Sequence, residues 1–318
     1  MNKLINNKSL EIQTIENIKN SKSINTNRAY KADYEDFKKF CSKNNLSHKS
    51  ANPKEISMYL TDLSNKKFKF STIRRRLVSI SYAKKISGYN IDIRHPVISE
   101  NLKSIKRKIG NYQRGKNPLL LNDLIKIIKI INTSDEIKDL KKIRDKTIIL
   151  LGFAGGFRRS ELVSLDCEDV ENLTEGLKIF LKKSKTDQFG EGFYKGIPYF
   201  KNKEICPVLS LQKWFMITKI TNGPIFRKIS KSNRLLETRL TDQTIALILK
   251  KYIGIAGLDI YKFSGHSLRS GFATVAASKG ADERSIMNMT GHKSSAMVRR
   301  YIKEANLFKN NALNSIKI

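Results

Sequence analysis

The sequence predicts a mainly α-helical protein with a small β-sheet or hairpin, divided into a helical N-terminal domain and a larger α+β domain. Apolar residues recur at helical spacing along most of the chain. Apolar and basic residues alternate over residues 177–183, and an extended pattern resumes over 193–200 after Gly190 and Gly192. Residues 110–118 are polar, contain two glycines and end in proline, which is typical of an exposed linker. The predicted divisions are an arm over 1–24, a helical domain over 25–109, the linker, an α+β domain over 119–305 and a tail over 306–318.

Four helices are predicted within residues 25–109. The second takes Asn52 as its cap and Pro53 as its first residue. The third begins near Ser71, and the fourth follows Ser99. The four apolar faces consist of Tyr30, Tyr34, Phe37 and Cys41; Ile56, Tyr59, Leu60 and Leu63; Ile73, Leu77, Ile80 and Ala83; and Leu102, Ile105 and Ile109. The preceding arm is rich in Asn, Ser and Lys, so we expect it to be loose, although Leu10, Ile12, Ile15 and Ile18 form a candidate amphipathic segment within it.

The larger domain combines helices with the hairpin. Its first helix is predicted by four apolar residues at helical spacing, Leu124, Ile127, Ile128 and Ile131. An apolar run over 146–153 then leads into Gly155 and Gly156. Further helices are predicted over 209–217 and from Thr241, a residue type that caps helices.

Positive charge dominates the chain. Its 61 Lys and Arg residues outnumber its 29 Asp and Glu residues, giving a formal net charge of +32. This excess goes far beyond what solubility requires, so it predicts a polyanionic partner, and nucleic acid is the leading candidate. Compositional drift is the alternative explanation, but drift is expected to add Glu as freely as Lys. Two basic domains joined by a flexible linker predict a clamp that closes on nucleic acid, and the resemblance described below implies that this is double-stranded DNA.

Some of the basic residues are candidate DNA contacts. Three consecutive arginines stand near the start of the third helix, where they could read bases or grip phosphates, and gripping is the safer expectation. The candidate DNA contacts are Arg28, Arg74, Arg75, Arg76, Arg159 and Lys183.

Cysteine usage and hydropathy bear on the compartment. Cys41, Cys167 and Cys206 are odd in number and widely spaced, which indicates neither a disulfide framework nor a zinc site. The first ten residues lack the apolar core of a signal peptide, and no stretch reaches the roughly 20 apolar residues of a membrane helix. We therefore expect a cytoplasmic protein with no membrane association.

One set of polar residues carries the chemical prediction. Its members are Arg158, Lys185, His266, Arg269, His292 and Tyr301. A tyrosine hydroxyl, with an ordinary pKa of about 10, needs a base and a polarised target to act as a nucleophile at neutral pH. Two guanidinium groups polarise a phosphate diester best, because they bind its non-bridging oxygens and stay charged. Each residue alone has an ordinary structural interpretation, but together they predict phosphoryl transfer through a phosphotyrosine.

Three segments resemble the sequence boxes of the tyrosine recombinase (phage integrase) family. Gly-Phe-Arg-Arg-Ser-Glu-Leu at 156–162 is similar to the first box, and Gly-His-Ser-Leu-Arg at 265–269 is similar to the second. Gly-His-Lys-Ser-Ser at 291–295, followed by Tyr301 nine residues after His292, resembles the third. Ser-Lys-Thr at 184–186, beside the predicted hairpin, is similar to the segment that carries the family's lysine, and residues 25–30 resemble its core-binding domain.

The resemblance implies a fold and a set of roles. The fold is an N-terminal four-helix core-binding domain plus an α+β catalytic domain. Arg158 and Arg269 would clamp the scissile phosphate and stabilise its developing charge. Glu161, one helical turn after Arg158, is spaced to orient that guanidinium through an i,i+3 pair.

The remaining roles concern proton transfer and the nucleophile. Lys185 would protonate the leaving 5′ oxygen, although Lys182 and Lys183 compete for this assignment. His266 would accept the proton of Tyr301, and His292 would hydrogen-bond the phosphate or the nucleophile. Arg159 competes with Arg158, but the register of the box favours Arg158.

These roles predict a site-specific DNA recombinase that cuts and rejoins strands through a covalent 3′-phosphotyrosine. The phosphotyrosine stores the energy of the broken bond, so no cofactor is expected. No metal is expected either, because the arginines and the lysine neutralise charge and the sequence has no carboxylate cluster suited to magnesium. Integration, excision and resolution all remain open, as do the target sequence and any accessory recombination proteins.

Assembly and alternative functions complete the prediction. We expect a homo-oligomer, a tetramer when synapsed on DNA, in which the apolar tail docks into a neighbouring protomer or folds back on its own domain. The alternatives are a type IB-like topoisomerase, which would reseal the original strand, and a non-catalytic DNA-binding protein with an architectural or regulatory role.

Overall fold

The computed structural model describes residues 7–110, 115–134, 138–182, 191–309 and 311–316. The chain divides into two compact units, Met1–Arg114 and Gly115–Ile318. The predicted Lys185 and Lys183 lie outside the described residues.

The N-terminal unit is built from helices. Its described helices are α1 (Asn7–Asn20), α2 (Ile24–Lys43), α3 (Pro53–Asn65), α4 (Phe70–Ile86) and α5 (Pro96–Ile109). The last four correspond to the predicted helices, and α1 lies in the predicted arm, over the segment whose apolar spacing is amphipathic. The segment of α1 has no Gly or Pro to interrupt a helix, and its apolar residues are largely exposed: Leu10, Ile12, Ile15 and Ile18.

Local capping explains where these helices begin. The Ser23 side chain accepts from the backbone of Thr26 at the start of α2. Asn52 and Glu55 form a reciprocal capping box at the start of α3, with Pro53 as the first helical residue. Helix α5 begins earlier than predicted, because His95 rather than Ser99 supplies its cap.

The second unit holds more helices and two small sheets. Its helices are α6 (Leu121–Thr133), α7 (Asp139–Ala154), α8 (Arg159–Ser164), α9 (Pro207–Thr218), α10 (Asp242–Ile255), α11 (Ser267–Ser278), α12 (Glu283–Thr290) and α13 (Ser295–Ala305). Its strands are β1 (Val170–Asn172), β2 (Gly176–Leu181), β3 (Phe193–Pro198), β4 (Arg227–Ile229) and β5 (Leu235–Arg239). The predicted fold class, mainly helical with a small sheet, is confirmed.

The first sheet contains the predicted hairpin. Its strands pair antiparallel in the order β1-β2-β3, with Ile179 opposite Lys195. Strands β4 and β5 form a second sheet that the sequence did not predict. These strands have only three and five residues and pair with an irregular register between Arg227 and Ile229, so they are too short to show the alternation that signals a strand.

One apolar core unites the second unit. Trp214 of α9 is completely buried at its centre, and its indole N–H donates to the Ile225 carbonyl at 2.9 Å. A smaller cluster joins α11, α12 and α13 through Ala273, Ala277, Ile286 and Val298. Tyr301 packs against this cluster, so the small core fixes the position of the helix that carries it. Of the helices that the structure describes, none combines the length and apolar character of a membrane span.

Candidate active site

Arg158 follows a turn that only glycine makes readily. Gly156 has a φ of +54°, in the left-handed region that residues with a side chain seldom adopt. The Arg158 backbone N–H donates to Glu161 Oε2 at 2.9 Å, and Arg158 Nη1 donates to Glu161 Oε1 at 2.5 Å. The Glu161 side chain is 1% exposed. Glu161 therefore fixes both the backbone and the guanidinium of Arg158.

Arg269 joins the first box to the third. It lies on α11 and is 4% exposed. Its Nη1 donates to the Gly156 carbonyl at 2.8 Å, and its Nη2 lies 3.1 Å from His292 Nε2. The side chain thus spans from the turn before Arg158 to the imidazole of His292.

His292 has a defined tautomer in this arrangement. Thr290 Oγ1 donates to the Ile286 carbonyl at 2.6 Å and lies 2.7 Å from His292 Nδ1. A hydroxyl has a single proton, so with that proton directed at Ile286 it accepts one from Nδ1. His292 Nε2 then carries the lone pair and accepts from Arg269. Thr290 was missed by sequence reasoning, and its polar side chain two residues before the histidine was the available signal.

The electrostatics agree with this tautomer. Burial, reinforced by Arg269 and Arg158, lowers the pKa of His292 to about 4. Burial and the neighbouring Arg158 lower the pKa of Arg269 to about 10, while Glu161 and Tyr301 act in the opposite direction. At neutral pH His292 is therefore neutral and Arg269 is charged.

Tyr301 lies beside this pair. It is half-buried on α13, and its ring centroid is 6.5 Å from that of His292. The backbone of His292 follows Gly291, whose φ of +61° turns the chain between α12 and α13. The third box thus brings its histidine and its tyrosine close together, with the histidine in contact with Arg269.

His266 occupies a different environment from His292. It immediately precedes α11, and its side chain is exposed, whereas Arg269, less than one helical turn later, is buried. The hydrogen bonds described above join Arg158 with Glu161 and Arg269 with His292. His266 is therefore the more accessible of the two predicted histidines.

Comparison with known proteins decides the family. The sequence pattern of the Phage integrase family matches residues 119–307, and that of the Phage integrase, N-terminal SAM-like domain matches residues 15–82. An integrase/recombinase xerD homolog of Selenomonas ruminantium is 42% identical over 312 residues, which cover 97% of this chain and 90% of the relative. The chain belongs to the phage integrase family. The resemblance of its boxes is thereby confirmed, and the chain is a tyrosine-type site-specific recombinase.

Other relatives agree with this assignment. Tyrosine recombinase XerC of Listeria welshimeri is 26% identical over 284 residues, covering 88% of this chain and 87% of the relative. The site-specific recombinase XerH, solved in a post-cleavage complex, superposes with a TM-score of 0.68 at 18% identity, covering 90% of this chain and 80% of XerH. A lambda integrase dimer superposes with a TM-score of 0.59 at 17% identity, covering 93% of this chain and 75% of the integrase. These structures share the fold of the recombinase.

The hairpin of the recombinase contributes a lysine that the sequence did not single out. Lys195 of β3 is 1% exposed, and its Nζ donates to the Gly155 carbonyl at 2.6 Å and to the Met289 carbonyl. Burial, reinforced by Arg269 and Arg158, lowers its pKa to about 7, while Glu161 acts in the opposite direction. Alternation along β3 was the available signal, because it places Lys195 on the same face as Ile197, which is also buried.

Arg159 is directed away from the cluster of Arg158 and Arg269. Its Nη2 lies 3.6 Å from Asp242, and its side chain is 31% exposed. Its stem also lies over Gly265, where an added Cβ would meet Arg159 Cδ at 2.0 Å. Arg159 therefore packs against the second box, beside the active site.

The arginines of the N-terminal unit divide into two kinds. Arg28 and Arg74 are exposed, as a DNA contact requires. Arg75 donates to Asp33, yet its side chain remains 43% exposed.

Arg76 corrects the prediction of a DNA contact. Its side chain is 13% exposed, donates to Asp36 and to the Tyr59 hydroxyl, and stacks 4.5 Å from the Phe68 ring. Helix α4 turns this position towards α2 and α3, so Arg76 belongs to the interior of the unit.

Proposed function

We propose that Tyr301 is the nucleophile of this recombinase and that Arg158 and Arg269 hold the scissile phosphate. The observation that carries the proposal is the buried contact between Arg269 and His292, with Arg158 and Tyr301 both near enough to act on the charge of Arg269. Two guanidinium groups in a largely buried site stabilise the charge that develops on a five-coordinate phosphorus. Burial strengthens that effect, because the local dielectric is lower than that of water.

The reaction conserves the number of phosphate ester bonds. The Tyr301 oxygen forms a bond to phosphorus, the bond to the 5′ oxygen breaks, and a 3′-phosphotyrosine remains. A 5′-hydroxyl of another strand later attacks the phosphotyrosine and releases Tyr301. Because each ester bond is exchanged for another, the cycle needs no nucleotide cofactor.

The two histidines take different parts in this scheme. His292 is neutral at pH 7, and its Nε2 accepts from Arg269, so we assign it to orienting that guanidinium and hydrogen-bonding near the phosphate. The exposed His266 is the better acceptor for the Tyr301 proton, since its side chain is accessible. Lys185 is assigned as the acid for the leaving 5′ oxygen on the strength of its Ser-Lys-Thr setting in the sequence.

Double-stranded DNA is the substrate that the charge and the relatives support. XerH and lambda integrase were solved with their DNA sites, and this chain shares their fold and carries a net charge of +32. We assign the exposed Arg28 and Arg74, together with Arg159 and Lys183, to phosphate contacts. Because its substrate is DNA, we place the recombinase in the cytoplasm.

The C-terminal tail supports assembly on DNA. Its apolar side chains are exposed in the single chain, with Phe308 at 81% and Leu313 at 61%. Such side chains gain by burial on a partner, so we propose that the tail docks into a neighbouring protomer of a tetramer, with accessory proteins joining in the synapse. Deleting residues 306–318 is expected to preserve cleavage of a single site and abolish synapsis of two sites in gel mobility and exchange assays.

A suicide substrate tests the proposal directly. A nicked duplex loses the short 5′-hydroxyl fragment on cleavage, so the covalent adduct accumulates and can be counted on a denaturing gel. We expect an adduct with the wild type and none with Tyr301→Phe, which keeps the ring and removes the nucleophile. Tyr194→Phe, a change on the exposed face of β3, is the matched control and should form the adduct normally. Sequence-specific binding without any adduct would contradict the assignment.

A further inference from the structure

Lys195 is a lysine in an unusual place. It lies in the middle of β3, opposite Ile179, and is 1% exposed. Lysines are seldom fully buried, because the ammonium group must leave water and find acceptors for its protons. No ion pair among the described residues includes it, so its partners are of another kind.

The partners of Lys195 are two backbone carbonyls from two different boxes. Its Nζ donates to Gly155 at 2.6 Å and to Met289. Gly155 ends α7 three residues before Arg158, and Met289 lies in the last turn of α12, three residues before His292. One side chain thus joins the backbone next to the phosphate-binding arginine to the backbone next to the histidine.

Arg269 also connects the backbone before Arg158 to His292. That guanidinium contacts the Gly156 carbonyl and His292 Nε2. Gly156 is one residue after Gly155, and His292 is three residues after Met289, the two residues whose carbonyls Lys195 contacts. A phosphate would draw the donors of Arg269 away from these two contacts. Lys195 would keep its carbonyls, because its own surroundings prevent it from reaching the phosphate.

Aromatic rings enclose the Lys195 ammonium. Its Nζ lies 4.5 Å from the Phe157 ring centroid and 5.5 Å from that of Phe193. The Phe193 ring also lies against Gly291, where an added Cβ would come within 3.0 Å of it. Both protonation states keep the bridge, since a neutral amine still has two N–H donors for two carbonyls.

We propose that Lys195 is a positioning residue that holds the turn before Arg158 and the turn before His292 at a fixed separation while Arg269 binds the scissile phosphate. It acts through the backbone and does not touch DNA. The inference rests on the proposed roles of Arg158, Arg269 and His292. It also gives the hairpin a second task, since β3 supplies the bridge from the sheet to the catalytic turns.

Lys195→Met tests the proposal, because it keeps the stem and removes the donors. A displacement of about 1 Å in catalytic groups can cost about 100-fold in rate, so we expect adduct formation about 100-fold slower than the wild type. DNA affinity should stay within about threefold, since no phosphate contact is lost. Lys178→Met is the matched control: this lysine is in β2, 44% exposed, and should cleave as the wild type. Wild-type cleavage by Lys195→Met, or an equal loss of cleavage and binding, would overturn the proposal.

A modified leaving group separates positioning from proton donation. When sulfur replaces the bridging 5′ oxygen of the substrate, the leaving thiolate needs no proton, so a variant that lacks only the general acid regains its rate. Lys185→Met is expected to regain cleavage on this substrate, and Lys195→Met is expected to remain slow. Recovery of Lys195→Met would make Lys195 the acid and would refute its positioning role.

Two further measurements keep the outcomes distinct. If Lys195→Met does not fold, Lys195→Gln, which retains an N–H donor on a shorter arm, should fold and cleave about tenfold slower than the wild type. Wild-type cleavage by that variant would equally reject the bridge. The wild-type adduct and its loss in Tyr301→Phe test the proposed function separately. If the wild type forms no adduct, the assignment of Tyr301 as the nucleophile is contradicted, and the positioning role of Lys195 is not.

Discussion

Both units of the recombinase hold arginines beside carboxylates, but they balance the charge differently. In the N-terminal unit, Arg75 and Arg76 face Asp33 and Asp36, two cations against two carboxylates. In the catalytic unit, two largely buried arginines, Arg158 and Arg269, lie near a single carboxylate, Glu161. Matched cations and carboxylates leave no net charge to be neutralised, whereas a surplus of buried cations costs stability and favours an incoming anion. The imbalance therefore distinguishes the phosphate site from the structural network.

Arg269→Ala should give the largest effect, because it removes a cation from the unbalanced cluster. Removing one donor to a developing oxyanion costs about 1,000-fold, so we expect adduct formation to fall by about that factor. DNA affinity should change by less than about tenfold, since one phosphate contact is a small part of a very basic interface. Single-turnover adduct formation and gel retardation measure the two quantities. Arg299→Ala, an exposed arginine paired with Glu283, is the control and should cleave normally. A parallel collapse of binding and cleavage would remove the distinction between the two clusters.

Arg76→Ala should affect stability instead, because it breaks the balanced network. Leaving the half-exposed Asp36 and the buried Tyr59 hydroxyl without this donor is expected to lower the free energy of unfolding by about 2 kcal/mol. Burial already raises the pKa of Asp33, and Arg75 and Arg76 act in the opposite direction, so the loss should grow as pH rises above the pKa of that carboxyl. Chemical denaturation followed by circular dichroism measures the change.

Arg74→Ala is the matched control on the same helix. It removes an exposed arginine, so stability should stay within about 0.5 kcal/mol of the wild type. DNA binding should weaken, and its dependence on the logarithm of salt concentration should fall by about one unit. A stability loss at Arg74 equal to that at Arg76 would show that burial is not the deciding variable.

The pH dependence of stability tests whether burial keeps Lys195 neutral in the folded protein. The folded protein lowers the pKa of Lys195 to about 7, whereas the unfolded chain has the ordinary value of 10.5. Between these values the unfolded chain binds a proton that the folded chain does not, so the contribution of Lys195 to stability increases with pH. The free energy of unfolding of the wild type relative to Lys195→Met should rise by about 1 kcal/mol per pH unit across this window. A flat difference from pH 7 to pH 10 would mean that Lys195 is not held neutral.

Local signals in the sequence predicted most of the fold. Helix α3 was predicted with its cap because Asn52 and Pro53 act through neighbouring residues alone. Strands β4 and β5 were missed because, at three and five residues, they are too short to show a period of two. The beginning of α5 was misplaced because histidine is an uncommon cap.

The site residues could be predicted where residue type and spacing alone identify a sequence box. The arginines, histidines and tyrosine of the three boxes form recognisable strings, and the spacing of Arg158 and Glu161 indicates a helical pair. Lys195 and Arg76 were not recognised, because a lysine or arginine is expected at the surface unless the folded chain supplies partners. The position of Arg76 in the sequence does indicate burial. It stands three residues after Ile73 and four before Ile80, on the apolar face of α4.

The burial of Trp214 gives the recombinase a built-in optical probe. It is the single tryptophan of the chain, and it lies at 0% exposure within the catalytic unit. Tryptophan emission will therefore shift to the red when that unit unfolds and will not change when the N-terminal helices unfold. Circular dichroism detects the unfolding of those helices. Recording both signals in one denaturation experiment assigns each variant's loss of stability to a unit without cutting the chain.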